Sequence, residues 1–271
     1  TNFQGSISAK GSELGLGGFV ETSSKNNLQV FGTVDAGGGL GEGTYLLDPA
    51  DVEITESVDN NFNTGGSNFF DPTGGTAKIS NDTIVSALAN NSVYITTFNS
   101  AGEDGDMTVN ADITYTGSND RVFQLVAADK IIINKNIKAT GSGSLNIYFN
   151  AQGDVTVGSG SAANVQIVTQ GGRFDVTGAN DDGQGVMGDK APGAGSFTSH
   201  TDSLIDTSGK DDGAGGLVKI LADIRNPGSG STSGNIIIGG DITTSGGTVT
   251  SSGAGKAGGA VDFAVIDASS T

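Results

Sequence analysis

Apolar residues in this chain come in short bursts rather than in helical stripes. Met107-Thr108-Val109, Ile131-Ile132-Ile133, Leu145-Asn146-Ile147-Tyr148-Phe149 and Val165-Gln166-Ile167-Val168 are examples, and Gly, Ser, Asn, Asp or Thr bound most of them. Short alternating runs between turn-forming residues predict many short strands joined by tight turns. Apolar stripes at the 3.6-residue helical period are nearly absent.

The bursts recur at a fixed offset. Residues 109–117 align with residues 133–141, and a third copy opens at Val157, each 24 residues after the last. Phe123 and Leu125 map onto Ile147 and Phe149 at the same offset. The register therefore places Asn110 beside Asn134, Ile113 beside Ile137 and Phe123 beside Ile147. Phe3 with Ile7, Val30 with Val34, and Ile238 with Ile242 are each four residues apart around a glycine. Glycine, Asn and Asp tolerate the backbone that a sharp corner between two strands requires.

One 24-residue unit cannot bury its own apolar side chains, but stacked units can, with equivalent strands pairing in parallel at about 4.8 Å. The expected fold is all-β, a right-handed parallel β-helix with coils of about 20–24 residues, forming a single domain over residues 1–271. The hand follows from the crossover rule. About a dozen coils would make a rod on the order of 55 Å long. A β-sandwich would have no reason to keep the offset. Residues 48–91 break the pattern and read as an excursion from the solenoid. The excursion carries Phe62, Phe69 and Phe70, then a run from Ile79 to Leu88. That run reads as a short helix capped by Ser80 or Asn81, with Ile84, Val85 and Leu88 on one face.

Composition narrows the function classes. Glycine supplies 46 of 271 residues with no Gly-X-Y period, which excludes collagen. No cysteine is present, so disulfides, thiolate zinc sites and thiol nucleophiles are excluded. A net charge of −17 repels phosphate backbones and anionic lipid, so neither nucleic acid nor membrane insertion is expected. No apolar run approaches the roughly 20 residues that span a bilayer as a helix. No basic start followed by an apolar stretch is visible, so any export signal is expected outside this sequence, whose opening at Thr1 reads as mid-domain.

The succession Gly17-Gly18-Phe19-Val20-Glu21-Thr22-Ser23, then Gly43 to Ile54, Ile79 to Leu88, Val93 to Thr97, Asp106 to Ile113 and Ile131 to Asn134 resembles the filamentous-haemagglutinin-like exoproteins. The resemblance covers Phe3 to Phe149; the remainder matches only in style. It implies a β-helical shaft segment of a large secreted or surface-attached bacterial adhesin. Its partners would be a glycan or protein receptor on a host or neighbouring cell, and an outer-membrane export partner acting on the full-length protein. The Asn-Pro motifs of the family's export region are missing, since the only Asn-Pro is Asn226-Pro227 in a Gly/Ser stretch. The family supplies no catalytic residues to transfer.

No catalytic residue is therefore assigned. A polysaccharide-binding or polysaccharide-degrading β-helix is the alternative, because such enzymes use clustered carboxylates. The acidic pairs Asp181-Asp182 and Asp211-Asp212 lack basic partners in sequence, and His200 is the only histidine. Gly253-Ala254-Gly255-Lys256-Ala257-Gly258 fits a dinucleotide fingerprint on paper, but no helix is expected after it. No cofactor is required. Calcium is the ion that the acidic turns could take, with Asp104, Asp106, Asp181, Asp182, Asp211 and Asp212 as candidate ligands, although no full calcium-loop motif is matched. The bland reading is that these turns keep the molecule soluble and blunt aggregation. Thr96-Thr97 and Thr243-Thr244 do not repeat at one register, which argues against an ice-binding ladder. Asn81-Asp82-Thr83 and Asn90-Asn91-Ser92 are glycosylation sequons that a bacterial origin would leave uninformative. Phe62, Phe69 and Phe70 are the candidate partner-binding residues, because aromatics in a polar setting can anchor a sugar ring or a protein.

Overall fold

The computed structural model describes residues 2–23, 28–48, 51–56, 76–97, 105–160, 162, 164–179, 190–191, 195–223, 234–249 and 255–266. Among these the chain is mostly β, and the strands stack into long parallel sheets. Sheet 1 runs through nine strands, in the spatial order Asn2–Phe3, Gln29–Val30, Thr76–Ser80, Asp51–Thr55, Met107–Val109, Ile131–Ile133, Val155–Val157, Phe197–Ser199 and Ile236–Ile238. Sheet 2 holds Ile113–Tyr115, Ile137–Ala139, Gln166–Val168, Leu204–Asp206 and Asp241–Thr243. Sheet 3 stacks eight strands in chain order: Phe19–Ser23, Gly43–Asp48, Asn91–Thr96, Arg121–Ala127, Leu145–Ala151, Phe174–Ala179, Val218–Asp223 and Val261–Ile266. The pairings are parallel throughout, except that Gly178 and Ala179 meet Ala191 and Lys190 antiparallel at the side of sheet 3.

From Met107 onward each pass of the chain visits sheet 1, sheet 2 and sheet 3 in turn, and the 24-residue offset sets the register through Val157. Val109 pairs with Ile133 and Ile133 with Val157; Ile113 pairs with Ile137; Phe123 pairs with Ile147. The four-residue corners superpose as well, since Phe3 pairs with Val30 and Ile7 with Val34. The offset does not hold to the end. Val155 pairs with Phe197, 42 residues on, and Phe197 with Ile236, 39 residues on. The expected dozen coils are therefore eight levels in sheet 3, because the later passes carry longer connections. At about 4.8 Å per step the nine strands of sheet 1 span about 38 Å, not 55 Å.

Alternation along each strand sends every second side chain into a common interior. The result is continuous apolar columns. Ile113, Ile137, Ile167, Ile205 and Ile242 stack in sheet 2. Leu47, Ile95, Leu125, Phe149, Val176 and Ile220 stack in sheet 3, all fully buried. Phe149 and Phe174 meet edge to face at 5.5 Å, and Phe174 reaches Phe197 at 6.4 Å, tying sheet 3 to sheet 1. Edge-to-face pairs at such distances add to simple burial.

Order breaks where sheet 1 takes Thr76–Ser80 before Asp51–Thr55. After Thr76–Ser80 the chain forms helix α1 (Asn81–Leu88) in place of a sheet 2 strand. Below it lies the separate pair Ser6–Ser8 and Thr33–Asp35; above it sheet 2 begins. Ser80 is the N-cap: its Oγ accepts the Asp82 N–H at 3.2 Å, and Asn81 Oδ1 shares that donor at 3.0 Å. The buried face is Thr83, Ile84, Ala87 and Leu88, with Val85 half-buried beside it. A helix leaves the flanking strand edges without backbone partners, because its own N–H and C=O groups bond internally. Asn91, fully buried, supplies them. Its Oδ1 accepts Ala36 N–H at 2.8 Å, and its Nδ2 donates to Val34 O at 3.2 Å and Ala87 O at 2.9 Å. On the upper side Asn81 Nδ2 donates to Asp112 O at 2.9 Å.

Candidate functional site

Of the sequence candidates, Asp106, Asp211 and Asp212 fall among the described residues. Phe62, Phe69 and Phe70 lie outside the described residues, as do Asp104, Asp181 and Asp182. Asp106 sits half-buried at the corner before sheet 1, where its Oδ1 accepts the Lys130 N–H at 3.1 Å. Burial holds its carboxyl above the usual range; the Lys130 N–H and ammonium oppose that, and Asp51 and Asp129 add to it. Asp211 is exposed in a tight turn at φ 50°, with Asp212 following. Asp106 is thus not brought together with Asp211 and Asp212. Among the described residues no three His, Cys, Asp or Glu side chains gather where a metal ion could sit.

Asp106 belongs to a recurring corner device. Asp51 Oδ1 accepts the N–H groups of Gly105 and Asp106; Asp112, Asp120, Asn136 and Asn146 accept those of Asn136, Ser144, Gln166 and Arg173. Each oxygen reaches one level up and satisfies a backbone donor at the bend. Side chains outside the corners form ladders too: Asn110 Nδ2 donates to Glu53 at 3.0 Å and Asn134 Nδ2 to Asn110 at 2.9 Å.

The other motifs resolve into structural roles. His200 Nδ1 accepts the Asp202 N–H at 3.3 Å and lies 3.7 Å from the Asp202 carboxylate, within a turn. Thr97 is buried and donates to Gly105 O. Residues 255–258 of the glycine fingerprint are followed by the strand Val261–Ile266, not by a helix. No helix among the described residues is long and apolar enough to cross a membrane.

A cleft of about 320 Å³ lies where two glycine loops meet the end of α1. The loops, around residues 10–17 and 36–42, stack through backbone bonds such as Gly11 N–H to Gly37 O and Gly39 N–H to Ser12 O. A side chain at Gly38 or Gly39 would collide with the backbone of the lower loop, so this approach requires glycine. Arg121, 8% exposed, closes the far side. Its Nε donates to Leu88 O at 3.1 Å, Nη2 to Ala89 O at 3.4 Å, and Nη1 to Asp120 O at 3.1 Å and Glu42 at 3.4 Å. A guanidinium on the last carbonyls of a helix satisfies orphan acceptors and complements the dipole. Lys10 pairs with Asp35 at 3.1 Å at the mouth, while Glu13, Asn90 and Asn119 line the cleft from exposed positions. The strand periodicity gave no sign of this cleft; the run Gly37-Gly38-Gly39 was its only trace in the sequence.

No family model matches the chain, and no curated protein matches it in sequence.

Proposed function

We propose that this chain is a right-handed parallel β-helix serving as a structural and adhesive stalk segment of a secreted or surface-attached bacterial protein of the filamentous-haemagglutinin-like kind. The observation that carries the reading is the level-by-level continuation of the same buried columns through the parallel sheets. Such a stack is a stiff spacer with a repeating surface, suited to presenting a contact point away from a cell. The corner carboxylates are spent on backbone donors, which supports a structural rather than a catalytic use for them. The net charge of −17 suits a solvated exterior element. Its partners are a glycan or protein receptor on a host or neighbouring cell, and an export partner acting on the full-length protein. The cleft favours polysaccharide binding as the second reading. Beads coated with the native chain should attach to cells, and beads coated with heat-unfolded chain should not. Equal attachment by both would overturn the adhesive role. Release of new reducing ends from a polysaccharide panel would replace it with the enzymatic one.

A further inference from the structure

We propose that the cleft between the stacked glycine loops and the end of α1 binds one neutral hexose unit of a glycan. The proposal deepens the attachment reading and rests on it for its setting only. The volume of about 320 Å³ stands at the low end of the range of about 300–1,000 Å³ for small-ligand pockets. Its walls are pre-formed. One is backbone, locked by the Gly11–Gly37 and Ser12–Gly39 hydrogen bonds; another is the buried Arg121, fixed by three carbonyls and Glu42. Pre-formed walls lower the ordering cost of binding.

The polar groups on these walls define the ligand. The Asn90 and Asn119 side-chain amides make no hydrogen bond among the described residues, and Glu13 forms no ion pair among them. The two carboxamides and the carboxylate line one cleft and offer both donors and acceptors, which hydroxyl groups can use. The charged groups cancel: Lys10 is held by Asp35, and Arg121 by Glu42. With those cations paired, Glu13 free and the whole chain at −17, an anionic sugar is disfavoured. The floor is open because residue 37 is glycine; a Cβ there would press on Asn90 O at 3.0 Å.

The test is titration of the whole chain with the methyl glycosides of glucose, galactose, mannose and N-acetylglucosamine, with glucuronate as the acidic comparison. At least one neutral glycoside should bind with a dissociation constant on the order of 1 mM. Asn90→Ala and Asn119→Ala should each weaken it by about tenfold at unchanged melting temperature, since each removes a direct polar contact. In the unsubstituted chain, the same glycoside should shift the amide resonances of Gly37, Gly38 and Gly39, a readout that survives if a variant misfolds. Binding of glucuronate alone, binding indifferent to both substitutions, resonance shifts elsewhere, or no binding at all would overturn the proposal. Bead attachment that persists in those cases would leave the stalk reading standing.

Discussion

A single carboxylate at a corner shows how this chain uses its acidic residues. Asp106 holds the Lys130 N–H, yet burial raises its pKa above the ordinary value of 3.8. A raised carboxyl pKa means that the folded state binds the proton more tightly than the unfolded one, so this group's contribution to stability falls as pH rises through that window. Asp106→Asn keeps the acceptor and removes the charge; it should melt no lower than the parent at pH 7 and, lacking the stability that protonation of Asp106 adds as pH falls, should lose stability more steeply on the acidic limb. Asp106→Ala should lose about 1 kcal/mol, because it removes the part-buried acceptor of the Lys130 N–H. Chelator and added calcium should leave both melting curves in place if the corner oxygens serve the backbone; a calcium-dependent rise would assign the acidic turns to the ion. Tyr45 reports on the opposite limb. Burial pushes its hydroxyl up to about 12, against the hydrogen bond with Thr22, which acts to lower it. Its stabilising effect is intact below pH 10 and is lost as pH climbs through 12, so Tyr45→Phe should shift alkaline unfolding upward, as read by circular dichroism. Ile133, fully buried between Val109 and Val157, should not tolerate Asp: an unpaired carboxylate in an apolar column costs several kcal/mol, and a guanidinium melt should show it directly.

Helix α1 joins the stack through its cap and through the side chain of Asn91. Ser80→Ala should cost less than the roughly 1 kcal/mol typical of an N-cap, because Asn81 Oδ1 already shares the Asp82 N–H. Asn91→Ala should cost far more, on the order of 3 kcal/mol, because three buried hydrogen bonds go at once. Denaturant melts of the two variants test the ranking, and the reverse order would refute the role given to Asn91. The sheets and the helix were legible in the sequence for local reasons. A fixed offset announces its own register, and a cap lies beside the helix it starts. Asn91 and Arg121 were not, because their partners are remote. Asn91 serves Ala36, 55 residues away, and Arg121 reaches Glu42, 79 residues away. The pair Asn90-Asn91 read only as part of a sequon. The later coil lengths were hidden too, since connections that leave the sheets obey no period.

At the scale of the whole molecule, the levels are interchangeable wherever the offset is regular. Deleting residues 131–154 removes one strand from each sheet and joins two levels already in register, so the shortened chain should fold cooperatively and lose one step of about 4.8 Å in length. Small-angle scattering and a thermal melt would check this, and a chain that stays unfolded would refute interchangeability. The level at α1 cannot be treated so. Sheet 1 carries nine strands where sheet 3 carries eight, and the extra one enters beside the helix. In a crystal this would be an edge dislocation, a plane that starts inside the lattice and meets nothing opposite. Its consequence is a plane of weakness. There two walls are bridged by continuous backbone bonding, and the third, among the described residues, by side chains such as Asn91 and Asn81. Hydrogen exchange should therefore open the amides of Thr33–Asp35 and Ile113–Tyr115 before those of Ile137–Ala139. A pull along the stacking direction should part the molecule at that plane, leaving the levels above and below it whole.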